Sequence, residues 1–95
     1  MGLLAENEIV TLLAKTPGWE RAGDSITATA VFPAFLDAIA FVNKVAELAE
    51  AADHHPDIDI RWNKVTLVLS THSDGGLTAK DFDLAEKINA VPDTV

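Results

Sequence analysis

Residues Ser25 to Phe32 alternate: Ile26, Ala28, Ala30 and Phe32 fall on one side, Thr27, Thr29 and Val31 on the other. A period of two is the mark of a strand with one face against a core. Directly after it the period changes. From Ala34 to Ala52 the polar residues Asp37, Asn43, Lys44, Glu47 and Glu50 collect in an arc of about 140° when wound at helical pitch. Pro33 suits the first turn of that helix, where its missing N–H costs nothing. A half-buried strand running straight into an amphipathic helix leaves few choices, because both apolar faces must be covered and each can cover the other. The apolar arc of the helix, about 220°, exceeds the little over 100° that packing on one sheet requires. The excess includes Phe41 and Leu48, and points to a second packing partner such as a helix of another subunit. Surface alanines would widen the arc as well.

The rest of the chain supplies the missing strands and helices. Ala5 to Lys15 has helical spacing at Ile9, Leu12 and Leu13 and is stopped by Thr16-Pro17-Gly18. Trp19 to Arg21 reads as a short strand that turns at Ala22-Gly23-Asp24 into the alternating one. A second hairpin is expected from Ile58–Trp62 and Val65–Thr71, turning at Asn63-Lys64. Thr78 and Asp81 have the spacing of a capping box, so a last helix starts there and ends at Val91-Pro92. The order helix, hairpin, helix, hairpin, helix predicts an α+β fold: a four-stranded antiparallel sheet with three helices packed on one face.

At 95 residues the chain is expected to form a single domain over 1–95. It carries a formal net charge of −8, and its seven basic residues form no run. Nucleic-acid binding draws its affinity from clustered Lys and Arg, so a direct nucleic-acid partner is not expected, nor is an anionic membrane. No apolar run approaches the roughly 20 residues of a membrane span, and the first residues lack the pattern of a signal peptide. With no cysteine, disulfides and thiolate chemistry are excluded, and a cytoplasmic location is the expectation.

Chemistry points to the three histidines, two of them adjacent. His54-His55 follows the long helix, and Pro56 forces His55 out of helical geometry. In extended backbone neighbouring side chains diverge, so one ring can face a pocket while the other lines its edge. A protonated imidazole is favoured at a helix C-terminus and beside Glu50 and Asp53. His72 comes from the end of another strand, ahead of the turn Ser73-Asp74-Gly75-Gly76. Asp81 could fix a histidine tautomer, although capping alone also accounts for it. Glu50 and Trp62 have equally plain readings, as a solvated helix face and a hairpin aromatic. Adjacent histidines diverge too far to chelate one ion, so no metal is expected. Ser70 and Ser73 lie in no nucleophile-elbow context.

Taken together, Glu50-x-x-x-His54-His55-Pro56, five residues, Trp62, nine residues, His72, eight residues, Asp81 resembles the signature of the pterin-4a-carbinolamine dehydratase family. Trp19, Phe32-x-x-Phe35, Asn63-Lys64-Val65, Ser70-Thr71-His72 and Gly75-Gly76-Leu77-Thr78 agree with it. The resemblance covers about Trp19 to Ile88 and departs at no motif position. It implies a dehydratase that needs no cofactor and no metal and turns 4a-hydroxytetrahydropterin into quinonoid dihydropterin by histidine acid–base chemistry. It implies that His54, His55 and His72 line the pterin pocket, that Glu50, Pro56, Thr71, Ser73 and Asp74 border the ring, and that Asp81 orients a histidine, with His72 expected. Homodimers or homotetramers joined by sheet edges and long helices are implied as well. Some relatives serve instead as dimerisation or assembly partners of other proteins. The motif itself assigns neither the acid nor the base.

Overall fold

A computed structural model describes residues 2–92. The elements follow the expected order: α1 (Glu6–Ala14), β1 (Glu20–Ala22), β2 (Ser25–Val31), α2 (Phe35–Ala52), β3 (Asp57–Arg61), β4 (Lys64–Leu69) and α3 (Ala79–Asn89), with a 3-10 turn at His72–Asp74 before α3. The four strands form one antiparallel sheet in the order β1-β2-β4-β3. The central pair β2 and β4 runs in register from Ile26 opposite Leu69 to Val31 opposite Lys64. Ile26, Val65, Leu67 and Leu69 thereby share one face and are buried under the helices. The outer face carries threonines, with Thr29 and Thr66 hydroxyls 3.0 Å apart across the strands.

Helix α2 buries Ala38, Phe41, Val45 and Ala49, a stripe at helical spacing that faces the sheet and α3. Phe41 is only 6 % exposed and packs against Phe32, ring centroids 5.0 Å apart. The wide apolar arc of α2 is therefore partly used within the chain, and Phe41 needs no second subunit to cover it. Phe35 and Leu36, at the start of the helix, are the residues left open, 47 % and 77 % exposed.

Several boundaries differ from the sequence expectation. Pro33 precedes the helix, because Ala34 in extended conformation is its N-cap. Trp19 lies before β1 and inside the core, its indole N–H donating to Asn89 Oδ1 at 2.9 Å. The second hairpin turns at Trp62-Asn63, since Lys64 already pairs with Arg61. That shift puts Trp62 at φ 52°, a conformation in which a bulky side chain is strained. Strand β4 stops at Leu69, and Thr71 makes only an isolated bridge to Gly76.

Both ends that frame the histidines are local devices. Pro56 excludes helical geometry at His55, and α2 closes with Asp53 in the left-handed region at φ 49°. There the Asp53 N–H returns to Glu50 O and the His54 N–H to Ala49 O, satisfying carbonyls the helix would leave bare. On the other side α3 opens with the expected capping box. The Thr78 N–H donates to Asp81 Oδ2 at 3.0 Å, and Thr78 Oγ1 accepts from the Lys80 N–H. The C-terminal end of α2 and the N-terminal end of α3 meet beside the end of β4.

Candidate active site

At that meeting point is an open cleft of about 240 Å³. His54 and His55 enter from the end of α2, and Thr71, His72 and Ser73 from the segment after β4. The three histidines, with His72 seventeen residues beyond His55 in sequence, are thus brought to one concave surface. Asp53, Ser70 and Lys80 complete the wall, none of them among the site residues expected from sequence. Lys80 is the one Lys or Arg on it, and its place beside Asp81 in the first turn of α3 was the available signal.

The two adjacent histidines are unlike. The His54 side chain is 10 % exposed and its Nε2 is 2.6 Å from Asp81 Oδ1. His55 stands at the rim, 57 % exposed, with Nε2 3.4 Å from Glu50 Oε2. This is the inside-and-edge division that diverging neighbours predict. His72 opens the 3-10 turn and is exposed. Gly75 ends that turn at φ 78°, where a side chain would be strained, and lets the chain fold back to α3.

Asp81 is fully buried and partners His54, against the expectation of His72. The reason is topological: the 3-10 turn carries His72 outward, while the left-handed exit at Asp53 lays His54 over the start of α3. The Asp81 carboxylate is also held by Thr71, whose hydroxyl donates to Oδ2 at 2.9 Å, and by the Thr78 N–H. Thr71 is 4 % exposed and its hydroxyl is turned inward, so at most its backbone and methyl can meet a ligand. Glu50, Pro56 and Asp74 do not line the cleft. Glu50 reaches it through His55, and Asp74 accepts from Ser73 Oγ at 3.3 Å.

A second, more enclosed cavity of about 150 Å³ lies between Trp19, Phe41 and Ile88. Its polar groups already satisfy each other, since Asn89 accepts from Trp19 and donates to Pro17 O at 3.0 Å. It offers no acid, base or unpaired donor, whereas the histidine cleft brings three imidazoles together. Among the described residues no group of three or more His, Cys, Asp or Glu side chains is arranged to hold a metal ion, and no helix is long and apolar enough to cross a membrane.

The family model for pterin 4 alpha carbinolamine dehydratase matches residues 2–91. A relative from Mycobacteroides abscessus is 57% identical over 89 residues, covering 94% of this chain and 95% of its own length. One from Roseiflexus castenholzii is 60% identical over 89 residues, covering 94% and 96%. Both carry the name pterin-4-alpha-carbinolamine dehydratase as a provisional assignment. Among solved structures, a transcriptional coactivator/pterin dehydratase from Brucella melitensis superposes with a TM-score of 0.90 at 35% identity, over 94% of this chain and 97% of that one. A pterin dehydratase-like protein described as a RuBisCO assembly factor of the alpha-carboxysome shares the fold, with a TM-score of 0.63 at 19% identity over 76% of this chain and 83% of that one. The chain belongs to the pterin 4 alpha carbinolamine dehydratase family.

Proposed function

We propose that this protein dehydrates 4a-hydroxytetrahydropterin to quinonoid dihydropterin, using His54, His55 and His72 as its acid, base and ring-binding groups. The observation that carries the reading is the convergence of all three rings on one cleft, one of them backed by a buried carboxylate, in a member of this family. A carbinolamine bears a hydroxyl and an amine on one carbon. Its dehydration breaks the C–O bond, needs a proton on the departing oxygen, and removes one from the amine nitrogen as the C=N bond forms. The ring fits that exchange, because imidazole can give and take protons near neutral pH. His54 commits Nε2 to Asp81 and keeps Nδ1 for the substrate. His55 and His72 stand where water can restore their protons. Glu50 steadies His55 and Asp81 steadies His54; Ser73 and the Thr71 backbone border the ring.

The test uses purified protein treated with a chelator and 4a-carbinolamine generated in the cuvette. The wild type accelerates water loss. His54→Ala and His55→Ala each lose most of that acceleration while far-UV circular dichroism is unchanged. Variants as fast as wild type contradict the assignment of these residues, and a wild type no faster than buffer contradicts the activity.

Self-association belongs to the same reading. Strand β3 is an outer strand of the sheet, with Ile58 and Ile60 each 37 % exposed along it, and Phe35 and Leu36 add apolar surface at the start of α2. A homodimer or homotetramer would cover these surfaces, and sedimentation equilibrium distinguishes either from a monomer. A second role as a protein-binding module is favoured by the same exposed surface. Recovery of a stoichiometric partner by protein lacking dehydratase activity would support that role.

A further inference from the structure

The carboxylate of Asp81 is approached by more donors than capping a helix requires. Thr78 and Asp81 form the capping box of α3, which accounts for the Thr78 N–H on Oδ2 and for the Lys80 N–H on Thr78 Oγ1. It does not account for Thr71. That residue follows β4, takes no part in the cap, and still places its buried hydroxyl 2.9 Å from Asp81 Oδ2 and 2.8 Å from Thr78 Oγ1.

Counting protons orients the cluster. Each hydroxyl has one proton to give. Thr71 spends its proton on Asp81, so the proton in the contact between the two threonines comes from Thr78. Thr78 Oγ1 in turn accepts from the Lys80 N–H at 3.3 Å. The chain then runs one way, from the Lys80 amide through Thr78 and Thr71 to Asp81, and every contact holds a single proton. Asp81 Oδ2 receives two protons, from the Thr71 hydroxyl and the Thr78 N–H, and a carboxylate held in this way is an acceptor at Oδ1 as well. Against such an acceptor, His54 must present Nε2–H and leave Nδ1 bare.

We propose that Thr71 and Thr78 are positioning residues whose oriented hydroxyls, acting through Asp81, fix the tautomer of His54. The inference rests on the function proposed above for its catalytic consequence, but not for its structural one. It also changes what Thr71 is for. Its hydroxyl holds the carboxylate behind the histidine and does not touch the pterin.

The tautomer is read from the ring nitrogens of His54 in ¹⁵N-labelled protein without ligand, at about pH 8.5, above the range in which an ordinary imidazole titrates. The wild type shows a single Nε2–H form. Thr71→Val keeps the shape and removes the hydroxyl that pins the carboxylate, which can then turn away from the ring, so that both tautomers are populated. Its kcat falls about tenfold to a hundredfold, the span of a lost hydrogen bond to a charged group, with KM little changed. Thr71→Ser restores both the single tautomer and the rate. An Nδ1–H form in the wild type overturns the proposal without any variant, so a valine protein that fails to fold does not rescue it. Thr71→Val with the wild-type tautomer and kcat also overturns it, as does a raised KM at unchanged kcat, which would mean that Thr71 meets the substrate. If the wild type shows the Nε2–H form but no dehydratase activity, the proposed function fails and the tautomer assignment stands.

Discussion

Replacing Asp81 in two ways separates its structural and chemical parts. Asp81→Ala removes a fully buried carboxylate that accepts from the His54 ring, the Thr71 hydroxyl and the Thr78 N–H. The single contact between Thr71 and Thr78, 2.8 Å long, holds only one of their two hydroxyl protons, so three donors are left stranded: one threonine hydroxyl, the Thr78 N–H and His54 Nε2–H. Each stranded buried donor costs about 1–3 kcal/mol. The sum, about 3–9 kcal/mol, is a large part of the 5–15 kcal/mol that holds a typical domain together. At about 4–8 °C per kcal/mol for a domain of this size, Tm falls by at least about 12 °C. Asp81→Asn has the same shape, and its carbonyl can still accept from Thr78 and Thr71. Its NH₂ then faces His54 Nε2 and drives the ring proton to Nδ1. The expected protein melts within a few degrees of wild type but loses about 10²- to 10⁴-fold in dehydration rate, the usual worth of a positioned acid–base group. Thermal melting and steady-state rates read the two effects apart. An asparagine variant within twofold of the wild-type rate, or an alanine variant as stable as wild type, refutes the reasoning.

Three further outcomes follow from the fold. Phe41→Ala empties a buried site against Phe32 and costs about 3–5 kcal/mol in urea unfolding; a cost under about 1 kcal/mol would show that Phe41 faces another subunit instead. Trp62→Asn places a residue tolerant of positive φ at 52° and is expected to stabilise by up to about 1 kcal/mol, while a loss of that size would mean that the exposed indole is packed in the assembled protein. A hydrogen bond from Arg21, and then its charge, holds the Glu6 carboxyl below the usual glutamate range. A lowered folded-state value means stability that is present above the ordinary glutamate titration and is lost as pH falls through the lowered one. The Tm difference between wild type and Glu6→Gln should therefore be present at neutral pH and vanish in acid; a constant difference would show that the pair contributes through packing alone.

The parts of this architecture that a sequence can express locally are the parts it expresses well. The alternation from Ile26 to Phe32 became β2 because a half-buried strand has no other pattern, and Thr78 with Asp81 became a capping box because that device spans three residues. The Asp53 exit was foreshadowed by Pro56, which allows no further helix. The meeting of α2, β4 and α3 is another matter. Whether Asp81 reaches His54 or His72 depends on how two helix ends lie against each other, and neither end records that by itself. Phe41 looked surplus because a helical wheel knows the sheet but not Phe32 or α3. Lys80 passed unnoticed beside a capping residue, and the family resemblance that sets Thr71 at the ring does not record which way its hydroxyl turns.

The central claim is that the histidine cleft is where a pterin binds and loses water. A titration with a stable pterin product, followed through the imidazole C–H resonances, tests it directly. Saturable shifts of His54, His55 and His72 with one shared dissociation constant, abolished together by a substitution that fills the cleft, are the predicted result. Saturable binding that leaves these three rings unmoved, and instead perturbs Trp19 and the cavity beside it, would contradict the account.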